Sequence, residues 1–134
     1  MSVGLVVVSH SAKIAEGVVD LAKQMAGEVA VHPAGGTEDG EIGTDATLIA
    51  AAIEVADSGD GVLVLVDLGS AVLSTQLAIE ELVAEDLRDR VRISEAPVVE
   101  GAVIGAVQAS VGATLAEVDE AARGAAKMVK VRDG

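Results

Sequence analysis

The stretch Gly4-Leu5-Val6-Val7-Val8-Ser9-His10-Ser11 joins a short apolar run to a histidine that stands between two serines. An apolar run of this length, rich in β-branched residues, is typical of a strand buried on both faces in a parallel α/β sheet. In such sheets, ligands bind outside the carboxyl ends of the strands. The stretch therefore predicts a central strand that presents His10 as a reactive group at its end.

The composition is that of one compact domain, which we expect to comprise residues 1–134. Hydrophobic residues make up 51% of the chain, yet it contains no Phe, Tyr or Trp. The core must therefore be built from small aliphatic side chains, and sites that depend on aromatic stacking are excluded. Because there is no cysteine, disulfides, thiolate metal sites and thiol nucleophiles are excluded as well.

The charge is strongly acidic, with 22 acidic and 9 basic residues and a formal net charge of −13. This balance argues against binding to a nucleic-acid backbone or to an anionic membrane surface. It is compatible with a partner that has a basic face, and equally with an acidic surface that only maintains solubility. No stretch reaches the roughly 18 apolar residues of a membrane span, and no basic region precedes the first apolar run. We therefore expect a cytoplasmic protein without membrane insertion.

Apolar spacings of three and four predict a first helix over residues 12–26, with Gly27 as its C-cap. The predicted buried face consists of Ile14, Val18, Leu21, Ala22 and Met25. A short second strand, Val29-Ala30-Val31-His32, is expected to stop at Pro33. The segment 34–44 contains four glycines and is predicted to be a long functional loop.

The alternation of helix and strand continues through the rest of the chain. Thr44 is the expected N-cap of a helix over residues 45–56, and a buried strand, Val62-Leu63-Val64-Leu65-Val66-Asp67, again ends in a polar residue. The remaining elements follow in order. A helix over 71–83 comes after Leu68-Gly69-Ser70, a charged connector lies at 85–90, and a strand lies at 91–93. Pro97 and Gly101 bracket a loop, and a helix over 102–110 is broken by Gly112. A last helix runs from the N-cap Thr114, with Glu117 at the capping-box position, to about Ala125, and the tail at 127–134 is either a short strand or a frayed end. This order predicts an α/β fold in three layers, a mainly parallel β-sheet with helices on both faces.

Two predicted strand ends carry complementary groups, His10 after the first strand and Asp67 after the third. If the two strands are neighbours, these side chains meet at the carboxyl edge of the sheet. A carboxylate that accepts a hydrogen bond from one imidazole nitrogen fixes the tautomer and leaves the other nitrogen free to act as a nucleophile. We therefore predict His10 as the nucleophile and Asp67 as its orienting partner. A purely structural His10, and an Asp67 that only caps a helix, remain open.

Residues suited to binding an oxyanion surround this pair. Glycines let backbone N–H groups approach a phosphate closely, and helix N-termini favour negative charge. The candidates for phosphate binding are Ser11, Gly36, Thr37, Gly69 and Ser70. The chain has no Gly-x-x-x-x-Gly-Lys-Ser/Thr motif and no Gly-x-Gly-x-x-Gly motif after the first strand, so the pattern indicates a site for a phosphoryl group and not for a whole nucleotide. No metal site is expected, and His32, which precedes Pro33, has no evident partner.

Three rival functions share parts of this pattern. A receiver domain would be phosphorylated on Asp67, but it needs an acidic pair where this chain has Ser9-His10-Ser11. A hydrolase would need a serine aligned with His10; the flanking serines are poorly placed for this, and the chain has no Gly-x-Ser-x-Gly elbow. A non-catalytic binding or regulatory module of the same fold is the third alternative.

Three motifs, taken together, make the sequence similar to a known family. They are Val8-Ser9-His10-Ser11, the run from Gly35-Gly36-Thr37 to Ile42-Gly43-Thr44-Asp45-Ala46, and Val66-Asp67-Leu68-Gly69-Ser70-Ala71. They resemble the mannose-type EIIA domains of sugar phosphotransferase systems. The resemblance is to the form found in the phosphotransferase subunit of dihydroxyacetone kinases that use phosphoenolpyruvate as the ultimate donor, and it extends over nearly the whole chain.

The resemblance implies a phosphoryl carrier, and therefore a phosphotransferase with a phosphohistidine intermediate. His10 would accept phosphate at Nε2 from the small carrier protein HPr and pass it to ADP held in the kinase subunit DhaL, with Asp67 on the other ring nitrogen. The resemblance also implies a homodimer that binds no nucleic acid and no cofactor or metal of its own, since ADP and ATP would stay on DhaL. An EIIA component of a mannose-family sugar transport system is the alternative within the family. Some relatives carry further carrier domains at the C-terminus.

Overall fold

Four parallel strands form one sheet in the computed structural model, which describes residues 2–132. The strands are β1 (Gly4–Ser9), β2 (Val31–Gly35), β3 (Val62–Val66) and β4 (Val91–Ile93), and they lie in the order β2-β1-β3-β4. β1 pairs with both β2 and β3, which explains why all six of its residues are buried. The predicted central position of the first strand is therefore confirmed.

Helices cover both faces of this sheet. They are α1 (Ala12–Met25), α2 (Ala46–Ala56), α3 (Gly69–Leu77), α4 (Glu85–Arg88), α5 (Val98–Ser110) and α6 (Leu115–Gly124), with a π-helical turn, Ala78–Leu82, after α3 and a 3₁₀ turn, Ala125–Lys127, after α6. Leu5 and Val7 pack with α1, α5 and α6, whereas Val6 and Val8 pack with α2 and α3 on the opposite face. The predicted three-layer α/β fold is confirmed, and the described sheet is entirely parallel.

The buried face of α1 differs from the predicted one. The residues of this helix that are buried are Ala15, Val18, Val19 and Ala22. The longer side chains of Ile14, Leu21 and Met25 are exposed instead. The face is rotated because alanine and valine allow the helix to approach the sheet closely, where longer side chains would hold it away. The helix also ends one residue earlier than predicted, with Ala26 and not Gly27 as its C-cap.

Pro33 does not stop the second strand, contrary to the prediction. β2 begins two residues later than predicted and runs through Pro33. Leu5 N donates a hydrogen bond to Ala30 O, and Gly36 N donates to Ser9 O. The N–H and C=O groups of the even-numbered residues in this segment therefore face β1. The nitrogen of Pro33 therefore faces the open edge of the sheet, where its missing N–H removes no hydrogen bond from the ladder.

The N-cap of α2 is Asp45 and not Thr44. Asp45 Oδ1 accepts hydrogen bonds from Thr47 N at 2.9 Å and from Leu48 N at 3.4 Å. The Thr44 hydroxyl bonds to Ser74 Oγ at 2.6 Å instead. Because threonine and aspartate are both good N-caps, the choice between the two neighbours is decided by this tertiary contact of Thr44.

The region predicted as a loop between Pro97 and Gly101 belongs mostly to a helix. α5 begins at Val98, directly after Pro97. A Cβ on Gly101 would lie 2.7 Å from Ala96 Cβ and 3.3 Å from Leu65 Cδ1. This glycine therefore allows α5 to pack closely against β3, and it does not form a turn.

The remaining helix ends follow the predictions more closely. α3 begins at Gly69, two residues earlier than predicted, and continues into the π-helical turn. The charged connector at 85–90 contains the short α4. Thr114 and Glu117 form the predicted capping box at the start of α6. Residues 128–132 form no strand, and residues 133–134 of the predicted tail lie outside the described residues.

Candidate active site

His10 and Asp67 meet at the carboxyl edge of the sheet, as predicted for neighbouring strands. β1 and β3 are neighbours with Val8 opposite Val66, so the residues that follow the two strands lie side by side. His10 Nδ1 is 2.9 Å from Asp67 Oδ1. The His10 side chain is 20% exposed and the Asp67 side chain 14%, so solvent reaches the ring more readily than the carboxylate.

Four donors hold the Asp67 carboxylate. Its Oδ1 accepts hydrogen bonds from His10 Nδ1 at 2.9 Å and from the Leu68 amide at 2.7 Å. Its Oδ2 accepts from the His10 amide at 2.9 Å and from the Ser9 hydroxyl at 2.8 Å. Each carboxylate oxygen has two partners, so the orientation of the carboxylate plane is set by its surroundings.

These hydrogen bonds keep Asp67 ionised. Burial alone raises the pKa of Asp67, but the hydrogen bonds from the amide and ring of His10, the Ser9 hydroxyl and the Leu68 amide outweigh burial and leave that pKa below its ordinary value. A carboxylate can only accept hydrogen bonds, so Nδ1 of His10 carries the ring proton. The lone pair is then on Nε2, which is the nitrogen that a nucleophilic reaction would use.

The unprotonated ring nitrogen of His10, Nε2, faces the start of α3. Nε2 contacts the hydroxyl of Ser70, which donates to it in this tautomer. Gly69 and Ser70 are the first two residues of α3, and amides of the first helical turn have no partner inside the helix. A Cβ on Gly69 would meet nothing within 4 Å, so there is open space beside these donors. A phosphoryl group on Nε2 would therefore meet a hydroxyl and the positive end of a helix.

Ser70, His10 and Asp67 lie in the order of a serine hydrolase triad. The aligned serine is Ser70, which is one of the predicted phosphate ligands. The flanking serines have other contacts: Ser11 caps α1 through a hydrogen bond of 3.3 Å to a first-turn amide, and Ser9 bonds to Asp67. Ser70 is exposed, so a protein partner can approach the ring across this surface.

Gly36 and Thr37, the other predicted phosphate ligands, lie in a loop that is attached to the site. Gly36 N donates to the last carbonyl of β1 at 3.1 Å. Thr37 N donates to Glu41 O at 3.0 Å, and Glu41 N donates to Thr37 Oγ1 at 3.2 Å. These amides are used within the protein, so phosphate binding by the two residues stays a prediction. The far end of the loop is attached as well, since Gly43 N donates to His10 O at 2.9 Å.

Exposed apolar side chains occur in the segments that carry the site. Ile42, Leu68 and Leu73 are 78%, 64% and 68% exposed. Within residues 2–132, neither His10 nor Asp67 forms an ion pair with a Lys or Arg. The same residues contain no cluster of three or more His, Asp or Glu arranged to hold a metal ion. None of the described helices combines the length and apolar character needed to cross a bilayer.

His32 lies away from this arrangement. It lines a cavity of about 390 Å³ between α1 and α2 at the open edge of β2, and His10 is not among the lining residues. Burial, and after it the charge of Lys23, lowers the pKa of His32.

Two contacts at the site were not anticipated from the sequence. One is the bond from Ser9 to Asp67, and the other is the bond between Thr44 and Ser74, which ties the loop to α3. A signal for the first was present, because a serine at the last position of a buried apolar strand needs a hydrogen-bond partner inside the protein. The second joins two segments whose relative placement depends on the whole fold.

The chain matches a known family over most of its length. The family profile is EIIA-man, described as the fructose IIA component of the phosphotransferase system (PTS), and it matches residues 4–119. The crystal structure of EF1359, a protein described as being of unknown function, matches with a TM-score of 0.82 and 38% sequence identity. That match covers 92% of this chain and 95% of the other.

Curated relatives are phosphoryl donor subunits called DhaM. DhaM of the PEP-dependent dihydroxyacetone kinase of Escherichia coli K12 is 42% identical over 120 residues, which are 87% of this chain and 25% of the relative. DhaM of kinase 2 of Listeria innocua is 40% identical over 110 residues, which are 81% of this chain and 87% of the relative. The chain thus spans about a quarter of the E. coli subunit and most of the Listeria subunit. On these matches, the chain belongs to the EIIA-man family and groups there with the DhaM phosphoryl donor subunits.

Proposed function

We propose that this protein is a phosphoryl carrier whose His10 accepts phosphate from phospho-HPr and passes it to ADP bound in a DhaL subunit. The names of the DhaM relatives support this, since they describe a phosphoryl donor within PEP-dependent dihydroxyacetone kinases. The observation that carries the proposal is the state of the His10 ring. Its Nδ1 is held by Asp67, and its Nε2 lies beside Ser70 at the start of α3.

The chemistry of the relay requires only this ring on the carrier. In the first step, the lone pair of His10 Nε2 attacks the phosphorus of the donor phosphohistidine, the donor N–P bond breaks, and the donor ring leaves with that electron pair. His10 keeps its proton on Nδ1 and gains a positive charge, which the neighbouring Asp67 carboxylate stabilises. In the second step, a terminal phosphate oxygen of ADP attacks the same phosphorus. The N–P bond breaks, His10 returns to its neutral form, and ATP is the product.

Weak contacts to the phosphoryl group suit a carrier. Transfer between two proteins depends mainly on aligning the donor, the phosphorus and the acceptor. The Ser70 hydroxyl and the first-turn amides of α3 favour phosphoryl oxygens, but they carry no full positive charge. A carrier has to release the group that it binds, so contacts of this kind fit the task better than a cationic clamp would.

The surface around His10 supports docking of protein partners. Exposed apolar side chains often mark interaction sites, and Ile42, Leu68 and Leu73 are exposed in the segments that carry the site, which are the loop bonded to His10 and the start of α3. The formal net charge of −13 favours a partner with a basic face. HPr and DhaL would both have to reach Nε2, so they would use this face in turn.

Asp67 is poorly suited to be the phosphoryl acceptor itself. Both of its oxygens already accept two hydrogen bonds, and its side chain is only 14% exposed. A phosphorylated aspartate would lose acceptor capacity at one of these oxygens and leave its donors without partners. The receiver-type alternative is therefore disfavoured by the same contacts that support His10.

We also propose, from the family resemblance, that the protein is a homodimer and that it acts in the cytoplasm. ADP and ATP would be held by DhaL, and this chain would bind no cofactor or metal of its own. Light scattering coupled to size exclusion measures the oligomeric state, and equilibrium dialysis with ADP measures nucleotide binding. A monomer at micromolar concentration, or ADP bound by this chain alone, would contradict these proposals.

Reconstitution of the relay tests the proposed carrier function. The protein is incubated with phosphoenolpyruvate, the first enzyme of the phosphotransferase relay and HPr, and the phosphate is located by mass spectrometry. We expect one acid-labile, base-stable phosphate on His10 and none in His10→Ala. His32→Ala removes the other of the two histidines and should be labelled normally. Addition of DhaL with ADP should then discharge the phosphate and produce ATP.

The same experiment separates the alternatives. Label that persists in His10→Ala would overturn the proposal, and a base-labile phosphate on Asp67 would indicate a receiver. Label on His10 that DhaL cannot discharge, but a sugar permease subunit can, would indicate a sugar transport component. A protein that is never labelled would be a non-catalytic module of the same fold.

A further inference from the structure

Ser9 is a buried polar residue directly beneath the candidate active site. It is the last residue of β1 and is 0% exposed. Its hydroxyl donates to Asp67 Oδ2 at 2.8 Å and accepts a hydrogen bond from Ser11 N at 3.1 Å. The hydroxyl thus connects the carboxylate to the residue that caps α1, and it does not contact the ring of His10 in the described hydrogen bonds.

We propose that Ser9 is a positioning residue for phosphoryl transfer, whose hydroxyl holds the Asp67 carboxylate in the orientation that keeps the proton of His10 on Nδ1. The kinetic consequence rests on the proposed function of His10. The structural part of the proposal, which concerns the orientation of Asp67 and the tautomer of His10, stands independently of it.

The geometry explains why one hydroxyl has this influence. Oδ1 of Asp67 accepts the hydrogen bond from Nδ1 of His10. The position of Oδ1 depends in turn on how the other oxygen, Oδ2, is held. Among residues 2–132, two donors hold Oδ2, the Ser9 hydroxyl and the His10 amide. Without Ser9, Oδ2 keeps a single donor, and the carboxylate can rotate so that Oδ1 leaves the line of Nδ1. A misaligned carboxylate allows the ring proton to move to Nε2, which removes the nucleophilic lone pair.

The chain contains a matched control for Ser9. Ser94 follows β4, is 1% exposed, and its hydroxyl accepts a hydrogen bond from the amide two residues further on, Ala96 N, at 3.1 Å. Ser9 makes the equivalent bond to Ser11 N at the same distance. The two serines therefore share residue type, burial, a place at the C-terminal end of a strand and the hydrogen bond from the amide two residues further on, and they differ in the bond to Asp67.

The test compares Ser9→Ala with Ser94→Ala, after circular dichroism and thermal unfolding have established that each variant folds. Ser9→Cys serves as a second variant that keeps the size but offers only a weak donor. The first measurement is the rate of phosphoryl transfer from phospho-HPr. We expect the Ser9 variants to be slower by roughly tenfold, the effect of losing one hydrogen bond to a charged group, and Ser94→Ala to be unchanged.

Two NMR measurements detect the positioning role without any phosphoryl donor. Nitrogen-15 shifts of the His10 ring report its tautomer, and carbon-13 shifts of the Asp67 carboxyl report its titration. In Ser9→Ala we expect a gain of the Nε2–H tautomer and a raised pKa of Asp67, since the Ser9 hydroxyl is one of the groups that lower it. A merely structural role would change stability and leave both signals in place. Ser9→Thr retains the hydroxyl and should restore the wild-type behaviour.

The outcomes distinguish this inference from the proposed function. If the wild-type protein is never phosphorylated, the carrier function fails, and the NMR signals still decide the role of Ser9. If Ser9→Ala and Ser9→Cys keep the wild-type tautomer and Asp67 titration, the inference is wrong even when transfer is slow. An equal loss of rate in Ser94→Ala would overturn it too. Should Ser9→Thr fail to fold, the contrast between the Ser9 and Ser94 variants remains decisive.

Discussion

Two aspartates at opposite ends of β3 are held by the same number of hydrogen bonds but have partners of different chemistry. Asp57 lies at the amino edge, before β3, and accepts from Arg90 Nε at 3.2 Å, Arg90 Nη2 at 2.7 Å, Gly59 N at 3.0 Å and Gly61 N at 3.3 Å. Asp67 lies at the carboxyl edge, after β3, and also accepts from four donors, one of which is the ring of His10.

The difference lies in the partner's ability to change its charge. The hydrogen bond from Arg90 is the main cause that lowers the pKa of Asp57, and a guanidinium stays charged under all ordinary conditions. The Asp57–Arg90 pair therefore joins the segments before β3 and β4, and the charge of Arg90 in this pair does not change. The partner of Asp67 is an imidazole, which can acquire charge during a reaction. Equal hydrogen bonding thus produces a structural link at one edge and a responsive site at the other.

Asp67→Asn tests this difference with the largest expected effect. The asparagine amide has one acceptor oxygen and one donor group, so it cannot satisfy four donors, and its NH₂ can favour the wrong ring tautomer. We expect phosphoryl transfer to His10 to slow by roughly 100-fold or more, as measured by rapid quench with phospho-HPr. Asp57→Asn is the matched control and should transfer at the wild-type rate. Similar losses in both variants would mean that the two edges do not differ in function.

Asp57→Ala should produce the opposite pattern, a loss of stability without a loss of transfer. The substitution leaves the amides of Gly59 and Gly61 and the guanidinium of Arg90 without their acceptor. An unsatisfied donor in a partly buried position costs about 1–3 kcal/mol, so the free energy of unfolding should fall by about that amount. Urea denaturation measures this change. An Asp57→Ala protein with wild-type stability would show that the link at the amino edge contributes nothing to the fold.

The contacts at the carboxyl edge, around Asp67, could be predicted from the sequence better than those at the amino edge, around Asp57. β1 and β3 are continuous apolar runs, so their burial, and the polar residue after each, could be inferred from the pattern alone. The Asp57–Arg90 pair joins residues 33 positions apart, in segments that carry no pattern of their own. It could be recognised only after the order of β3 and β4 was known.

Tertiary context accounts for most of the other differences from the predictions. Pro33 is compatible with a strand only because β2 is an edge strand, and the strand order is a property of the whole sheet. Asp45 replaced Thr44 as the N-cap because Thr44 bonds to Ser74. The bond of the Ser9 hydroxyl to Asp67, in contrast, has a local signal, because Ser9 directly follows the apolar run and a buried hydroxyl needs a partner inside the protein.

Acid should reduce the contribution of both aspartates to the free energy of unfolding, because the pKa of each is lowered in the folded protein. Both carboxyls have a pKa lowered from 3.8 in the folded protein. Such a group adds stability that is fully present above its unfolded pKa and is lost as the pH falls through the folded pKa. The stability difference between wild type and Asp57→Asn should therefore be constant at neutral pH and shrink below pH 3.8. Urea titrations at several pH values measure it, and a difference that grows in acid would contradict the assignment.

Ser70→Ala is expected to have the smallest effect and to separate the two serines of the responsive edge. The Ser70 hydroxyl lies on Nε2, the reacting nitrogen, whereas Ser9 acts through Asp67 on the opposite side of the ring. Loss of the hydrogen bond that the Ser70 hydroxyl would donate to a phosphoryl oxygen, worth about 1 kcal/mol, should slow transfer by roughly fivefold. The His10 ring should keep its Nδ1–H tautomer, because the contacts of Asp67 are untouched.

Ser74→Ala is the control for Ser70→Ala, since Ser74 lies one turn further along α3 and bonds to Thr44. It should leave both the transfer rate and the ring tautomer unchanged. If Ser70→Ala shifted the tautomer as Ser9→Ala is expected to do, the ring would be oriented from the Nε2 side as well. Asp67 would then not be the only group that determines the tautomer, because the contacts of both ring nitrogens would decide which of them carries the proton.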